Sequence, residues 1–259
     1  MEKRRFINPK NRPVTDLDNM VFGTRAVIET IKSGKQIDKI FLQKDLDNEL
    51  SRELIQLLKG QIVSISKVPQ EKLNRFTRKN HQGVVAFTSP IDFVRLHNIV
   101  ANSYENGIAP LVLILDRITD VRNFGAICRS AECANVNGIV IPAKGGSMIN
   151  SDAVKTSAGA LNYLSICKEL DLKESVKYLK DSGFQIIACT EKTETLIYEA
   201  ELSIPTVLIL GSEEDGISNE LLELSDLKCS VPLSGNIDSL NVSVAAGIML
   251  FETVRQRRV

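Results

Sequence analysis

The stretch at 231–252, VPLSGNIDSLNVSVAAGIMLFE, limits what this chain can fold into more than any other. It opens on the end of a strand, KCSVP, and continues as a polar turn, LSGNIDS, with Gly235 and Asn236 as turn formers. It closes as a helix beginning near Leu240 whose body is almost wholly apolar: Val242, Val244, Ala245, Ala246, Ile248, Met249, Leu250, Phe251. A helix apolar on nearly every face is expected to be buried on nearly every face. A polar loop is then pinned between a strand and a core helix, with backbone groups free at the helix N-terminus. Rigid elements that present a polar loop are how small-molecule sites are built.

From residue 111 the pattern is strand, loop, helix, repeated. LVLILD (111–116) and TVLILG (206–211) are near-continuous apolar runs, as expected of strands buried on both faces of a parallel sheet. GIVIP and QIIACT are further strands. NFGAICRSAECANV, SDAVKTSAGAL (capped by Ser151 or Asp152), LKESVKYLKDSG and ISNELLELSD read as helices. The fold class is α/β, an open sheet whose ligands sit beyond the carboxyl ends of the strands.

The front of the chain is a second, smaller α/β unit, so the expected domains are 1–90, a linker at 91–110, and 111–259. In 21–90, FGTRAVIETIKSG and ELSRELIQLLKG are helical, while DKIFLQ, QIVSIS and GVVAFT are strands. The stretch 91–110 holds Asn102, Ser103, Asn106, Gly107 and Pro110; part of it can be helical, and its second half reads as the linker. Residues 1–20, with five Lys/Arg in the first twelve positions, read as a basic arm, able to touch a phosphate backbone or without a role.

The net charge is zero, yet it is divided. Residues 1–91 carry 17 Lys+Arg against 10 Asp+Glu (+7), and residues 92–259 carry 15 against 22 (−7). A basic half points to a polyanion, against the alternative of ordinary solvated charge. Lys72, Arg75, Arg78 and Lys79, interleaved with Phe76 and Asn80 and followed by His81, are the candidate RNA contacts: cations hold phosphates while aromatic and amide groups meet splayed bases. Five cysteines, odd in number and without a CxxC pair, suit reduced thiols in a cytoplasm and argue against a zinc site. No apolar run reaches the about 18 residues of a membrane span, and MEKRRFINPKNRP is not followed by the apolar core of a signal peptide. The expectation is no membrane and no metal.

Three polar loops follow strand ends: 116–130, 211–218 and 233–241. GxGxxG is absent, so the usual dinucleotide fingerprint is missing. GSEEDGIS has two glycines at P-loop spacing, but Ile217 stands where Lys is required and three acids would repel phosphate. The two histidines, His81 and His97, both precede the larger domain, which speaks against a Ser-His-Asp hydrolase.

Asn123-x-Gly125-x-x-x-Arg129, Gly211-x-Glu213-x-x-Gly216 and Ser239-Leu-Asn-Val-Ser-Val-Ala245 resemble, in this order, the three motifs of the SpoU (TrmH) family of RNA ribose 2′-O-methyltransferases. FGTRAVIETI and NHQGVVAF resemble the small substrate-binding domain of members that methylate a guanosine of large-subunit rRNA. One departure stands out: Glu214 and Asp215 follow Glu213, where the family often has Gly.

The resemblance implies a knotted (trefoil) methyltransferase domain, S-adenosylmethionine as cofactor, and a homodimer. It implies a cofactor pocket lined by Gly211, Val231, Leu233 and Leu240, with Thr190 as a further wall. Arg129 would be the essential residue. Arginine is a poor general base, with a pKa above about 12, so it is expected to grip an RNA phosphate and the 2′-oxygen. Asn123 and Asn241 would orient Arg129 and the ribose, Glu213 would anchor Arg129 or the loop, and Ser239 completes the catalytic set. By position alone, Arg129 would instead pair with Glu132 on a helix surface, and Glu213 would cap a short helix. The implied function is 2′-O-methylation of a guanosine in 23S rRNA. The alternatives are the same chemistry on tRNA or another rRNA nucleotide, and an RNA-binding protein without catalysis.

Overall fold

The computed structural model describes residues 19–105 and 107–258. The basic arm therefore lies outside the described residues but for its last two. The chain divides into two compact units between Ser89 and Pro90.

The first unit runs β1 (Met20–Phe22), α1 (Thr24–Lys32), β2 (Ile37–Gln43), α2 (Glu49–Leu58), β3 (Ser64–Val68), α3 (Gln70–Phe76) and β4 (Val84–Thr88). Its sheet has the order β1-β4-β2-β3, antiparallel except for β2 beside β3. Val27, Ile28, Ile40, Leu54, Val84 and Ala86 fill its core. α2 starts on a reciprocal cap: Asn48 Oδ1 accepts from the Ser51 amide at 2.8 Å, and Ser51 Oγ accepts from the Asn48 amide at 3.0 Å.

The second unit runs α4 (Leu96–Tyr104), β5 (Leu111–Asp116), α5 (Val121–Cys133), β6 (Gly138–Pro142), α6 (Ser151–Thr156), β7 (Ile166–Glu169), α7 (Leu172–Asp181), β8 (Gln185–Cys189), β9 (Thr206–Gly211), α8 (Asn219–Leu224), β10 (Leu227–Cys229) and α9 (Val242–Arg257). Its sheet is parallel throughout, in the order β10-β8-β9-β5-β6-β7. Alternation along β5 sorts the helices. Leu111, Leu113 and Leu115 face a core shared with Phe124 and Ile127 of α5 and Met249 and Leu250 of α9. Val112 and Ile114 face the core shared with Ile99 of α4, Val176 of α7 and Leu221 of α8.

Three expectations need correction. The linker at 91–110 is largely a packed part of the second unit: Leu96, Ile99 and Val100 of α4 are buried, and the Tyr104 hydroxyl donates to the Ser182 carbonyl at 2.8 Å. Gly138 makes that packing possible, since a Cβ there would lie 2.6 Å from Ile99. The helix expected over SDAVKTSAGAL stops at Thr156, because Ala158 (φ 51°) and Gly159 (φ 87°) take left-handed backbone. Finally, α9 is not buried all round: Val244 is 50% and Phe251 49% exposed.

Candidate active site

In this sheet the chain leaves β5 in one direction toward β6 and β7, and fills β9, β8 and β10 in the other. The switch point is the carboxyl end of β5 and β9, where Asp116 is in register with Gly211. An open parallel sheet forms its crevice at such a point. The three polar loops converge here.

Each loop is fixed by local hydrogen bonding. Asp120 Oδ1 caps α5 by accepting from the amides of Arg122 (2.8 Å) and Asn123 (2.9 Å), which sets Asn123 in the first turn. Asn241 caps α9: its Oδ1 accepts from the Ser243 amide at 3.0 Å and hydroxyl at 2.6 Å. The cap fixes which way the amide points. Asn241 Nδ2 then donates to Asn123 Oδ1 at 3.0 Å and to Glu213 Oε1 at 2.7 Å. One asparagine thus joins all three motifs, separated by up to 118 residues of chain. Its side-chain amide donors and its Oδ1 are all engaged, so the side chain orders its neighbours across the three loops. Asn123 Nδ2 and Glu213 Oε2 have no partner among the described residues.

The second loop folds back on Gly211. Ser212 and Gly216 exchange backbone hydrogen bonds at 3.2 and 2.9 Å, so Glu213, Glu214 and Asp215 form a tight acidic tip. A Cβ on Gly211 would lie 2.1 Å from the Gly216 carbonyl carbon. Buried Asp116 Oδ2 accepts from the Ser218 amide at 2.7 Å. Arg117 reaches Asp116 Oδ1 (3.2 Å), Asp215 Oδ2 (3.3 Å) and the Gly216 carbonyl (3.1 Å). The sequence reading missed Arg117 and Asp116. Asp116 ends an apolar strand, which was a usable signal; Arg117 gave none.

The residues assigned to the cofactor fall on one rim. Thr190 follows β8, Val231 lies just past β10, and Gly211 ends β9, on three adjacent strands. Leu233 and Leu240 stand 40% and 36% exposed in the third loop. Cys189 and Cys229 end the neighbouring strands in register. Burial pushes both thiols above their ordinary range.

Arg129 lies on α5, exposed, with no hydrogen-bond or ion-pair partner among the described residues; the pair with Glu132 does not form. Its guanidinium is therefore available. Ser239 is exposed and has no hydrogen-bond partner among the described residues. Lys72 and Arg75 on α3, and Arg78 and Lys79 just after it, are all exposed in the first unit. Lys72 Nζ lies 5.4 Å from the Phe41 ring, and Lys79 Nζ lies 6.0 Å from the Phe22 ring. Phe76, expected to meet bases, instead packs on Phe41 (4.8 Å) and Phe87 (5.5 Å). His81 is buried: Nδ1 accepts from the Gly83 amide at 3.1 Å, so Nε2 carries the proton and donates to Asn74 Oδ1 at 2.9 Å. Among the described residues no group of three or more His, Cys, Asp or Glu side chains could hold a metal ion, and no helix is long and apolar enough to cross a membrane.

The same segments match known families. Residues 110–251 match the model of the SpoU rRNA Methylase family. This chain belongs to the SpoU family. Residues 20–94 match the model for RNA 2′-O ribose methyltransferase substrate binding. A TrmH family tRNA/rRNA methyltransferase of Staphylococcus saprophyticus is 30% identical over 238 residues, covering 92% of this chain and 96% of the relative. YacO of Bacillus subtilis, of the same description, is 30% identical over 237 residues, covering 92% and 95%. Among solved structures, the SpoU methyltransferase AviRb of Streptomyces viridochromogenes in complex with AdoMet aligns with a TM-score of 0.58. That likeness has 24% identity over 92% of this chain and 90% of AviRb, and it concerns the fold. This SpoU protein is an RNA methyltransferase with an α/β parallel-sheet domain and a smaller N-terminal unit.

Proposed function

We propose that this SpoU protein transfers a methyl group from S-adenosylmethionine to the ribose 2′-hydroxyl of a guanosine in 23S rRNA. The observation that carries the reading is Asn241, which binds Asn123 and Glu213 at once and so draws the three motifs to the rim beside Gly211. Leu233 and Leu240, left partly exposed there beside Val231 and Thr190, fit an apolar purine ring, and strand-end backbone groups fit its polar edge. When bound, the sulfonium cofactor supplies an already activated methyl group, so no metal is needed. Arg129 contacts an RNA phosphate and the 2′-oxygen and stabilises the negative charge that develops as the hydroxyl gives up its proton to solvent water. Asn123 turns its unused Nδ2 toward the ribose. Glu213 anchors the second loop through Asn241, and Ser239 lies one residue before Leu240 to complete the set.

Lys72, Arg75, Arg78 and Lys79 hold the rRNA by its phosphates. The domains of this reading are 1–90 for RNA and 111–259 for the knotted methyltransferase, now with α4 on the latter's side. Two copies pair through α9, where Val244, Ile248 and Phe251 form one apolar stripe at i, i+4, i+7 spacing. Replacing Val244 and Phe251 with Asp is expected to halve the mass seen by light scattering. The protein works in the cytoplasm, where its cysteines stay reduced.

The deciding experiment incubates the protein with labelled S-adenosylmethionine and unmodified 23S rRNA or tRNA, then separates nucleosides. Label in 2′-O-methylguanosine of 23S rRNA is expected. Label in tRNA alone overturns the substrate; no label in either RNA, with the ribosomal subunit also tried, overturns the reading.

A further inference from the structure

We propose that Arg117 is a positioning residue for methyl transfer, a guanidinium lock that holds the 211–218 loop closed on Gly211. The inference rests on the reading of Gly211 and Glu213 as parts of the active site. Arg117 has φ 59°, one of four non-glycine residues in the left-handed region among those described. An unbranched charged side chain gains nothing locally from that conformation. The backbone is held there by what the side chain does: it spans from Asp116 across the switch point to Asp215 and to the Gly216 carbonyl. Asp116 in turn takes the Ser218 amide at the far end of the loop. The second half of the loop is therefore fastened to Asp116 and Arg117 at the end of β5, and its tip is fastened to the cap of α9 through Glu213 and Asn241.

The lock explains the departure in the second motif. Glu214 and Asp215 place three consecutive acids at one tight turn, where like charges repel. Arg117 sets a positive charge against Asp215 and, behind it, Asp116. Without that charge the tip would relax away from the rim, carrying Glu213 off Asn241 and lifting Gly216 from Gly211. The cofactor rim and the Asn123–Asn241–Glu213 array would loosen together.

The test compares Arg117→Gly, Arg117→Ala and Arg117→Lys in the full chain. Glycine removes the side chain and relieves the backbone; alanine removes the side chain alone. In cofactor-free protein, amide exchange at Gly216 and Ser218 is expected to speed up at least tenfold in both, with Ile139 in β6 unchanged. S-adenosylmethionine Kd by calorimetry should rise at least tenfold and kcat should fall similarly, with KM for RNA unmoved. The melting temperature of the glycine variant should fall less than that of the alanine variant, and lysine should restore part of the cofactor affinity. Exchange and Kd within twofold of wild type in both the glycine and alanine variants overturn the lock. Faster exchange with unchanged Kd and kcat shows a lock that positions nothing and overturns the proposal. A wild-type chain that binds no S-adenosylmethionine overturns the active-site reading, and this inference with it.

Discussion

Gly211→Ala tests the switch point with one methyl group. The new Cβ would lie 2.1 Å from Gly216 C, 2.2 Å from Ile217 N and 2.4 Å from Gly216 O. All three are backbone atoms, so no side-chain rotation relieves the clash. Carbon atoms pack at about 3.5–4.0 Å, so the 212–217 backbone must retreat by roughly 1.5 Å. That displacement acts on the Ser212–Gly216 pair, the Arg117 bond to the Gly216 carbonyl and the charged Asp116 bond to the Ser218 amide. Neutral hydrogen bonds contribute about 0.5–1.5 kcal/mol and charge-assisted ones about 1.5–3. Losing one of each kind costs about 3 kcal/mol, which lowers the melting temperature of a domain this size by roughly 6–12 °C. Cofactor binding is lost along with it. Calorimetric unfolding and S-adenosylmethionine titration read both effects. A variant melting within about 2 °C of wild type and binding cofactor normally would refute the close approach at Gly211.

Arg129→Ala should lower turnover at least about a hundredfold, the scale of losing a transition-state charge stabiliser, while calorimetric cofactor affinity is unchanged; near-normal turnover would remove Arg129 from the chemistry. Arg257 donates to the carbonyls of Leu202 (2.8 Å), Ala109 (2.5 Å), Pro110 (3.2 Å) and Ile204 (2.8 Å), tying the end of α9 to the starts of β5 and β9. Arg257→Ala should cost about 2–4 kcal/mol in denaturant unfolding, and Arg257→Lys should recover little, because a point ammonium cannot serve a planar fork of acceptors. The bonds from Arg255 hold the buried Glu252 carboxyl below the usual carboxylate range. Its contribution is therefore present above the unfolded pKa of about 4.3 and is lost as pH falls through the lower folded value. Glu252→Gln should flatten the acid limb of a stability-versus-pH curve, and an unaltered limb would deny Glu252 that role.

The sequence made the frame of the larger unit plain because its strands are buried on both faces: LVLILD and TVLILG have no other environment to occupy. Short elements left too little pattern. β1 has 3 residues and β7 has 4, no more than two full periods of alternation. The stretch at 91–110 misled because its polar and glycine residues punctuate a helix that is fixed from outside, by Ile99 against Gly138 and Tyr104 against Phe184. α9 misled in the opposite sense. Composition told that Val244 and Phe251 seek an apolar neighbour, and it could not tell whether that neighbour belongs to the same chain.

The site divides along the same physical line. Asn123, Glu213 and Asn241 were legible as motif members, yet their geometry is a matter of hydrogen bonds across 28 and 118 residues, which no local pattern encodes. Periodicity and turn chemistry report what a residue does to its neighbours in sequence. Arg117 does its work across the sheet, in a backbone conformation that glycine or asparagine would have signalled and arginine conceals. A parallel sheet brings distant strand ends together at its switch point, so the residues that matter most there are those whose partners lie farthest along the chain.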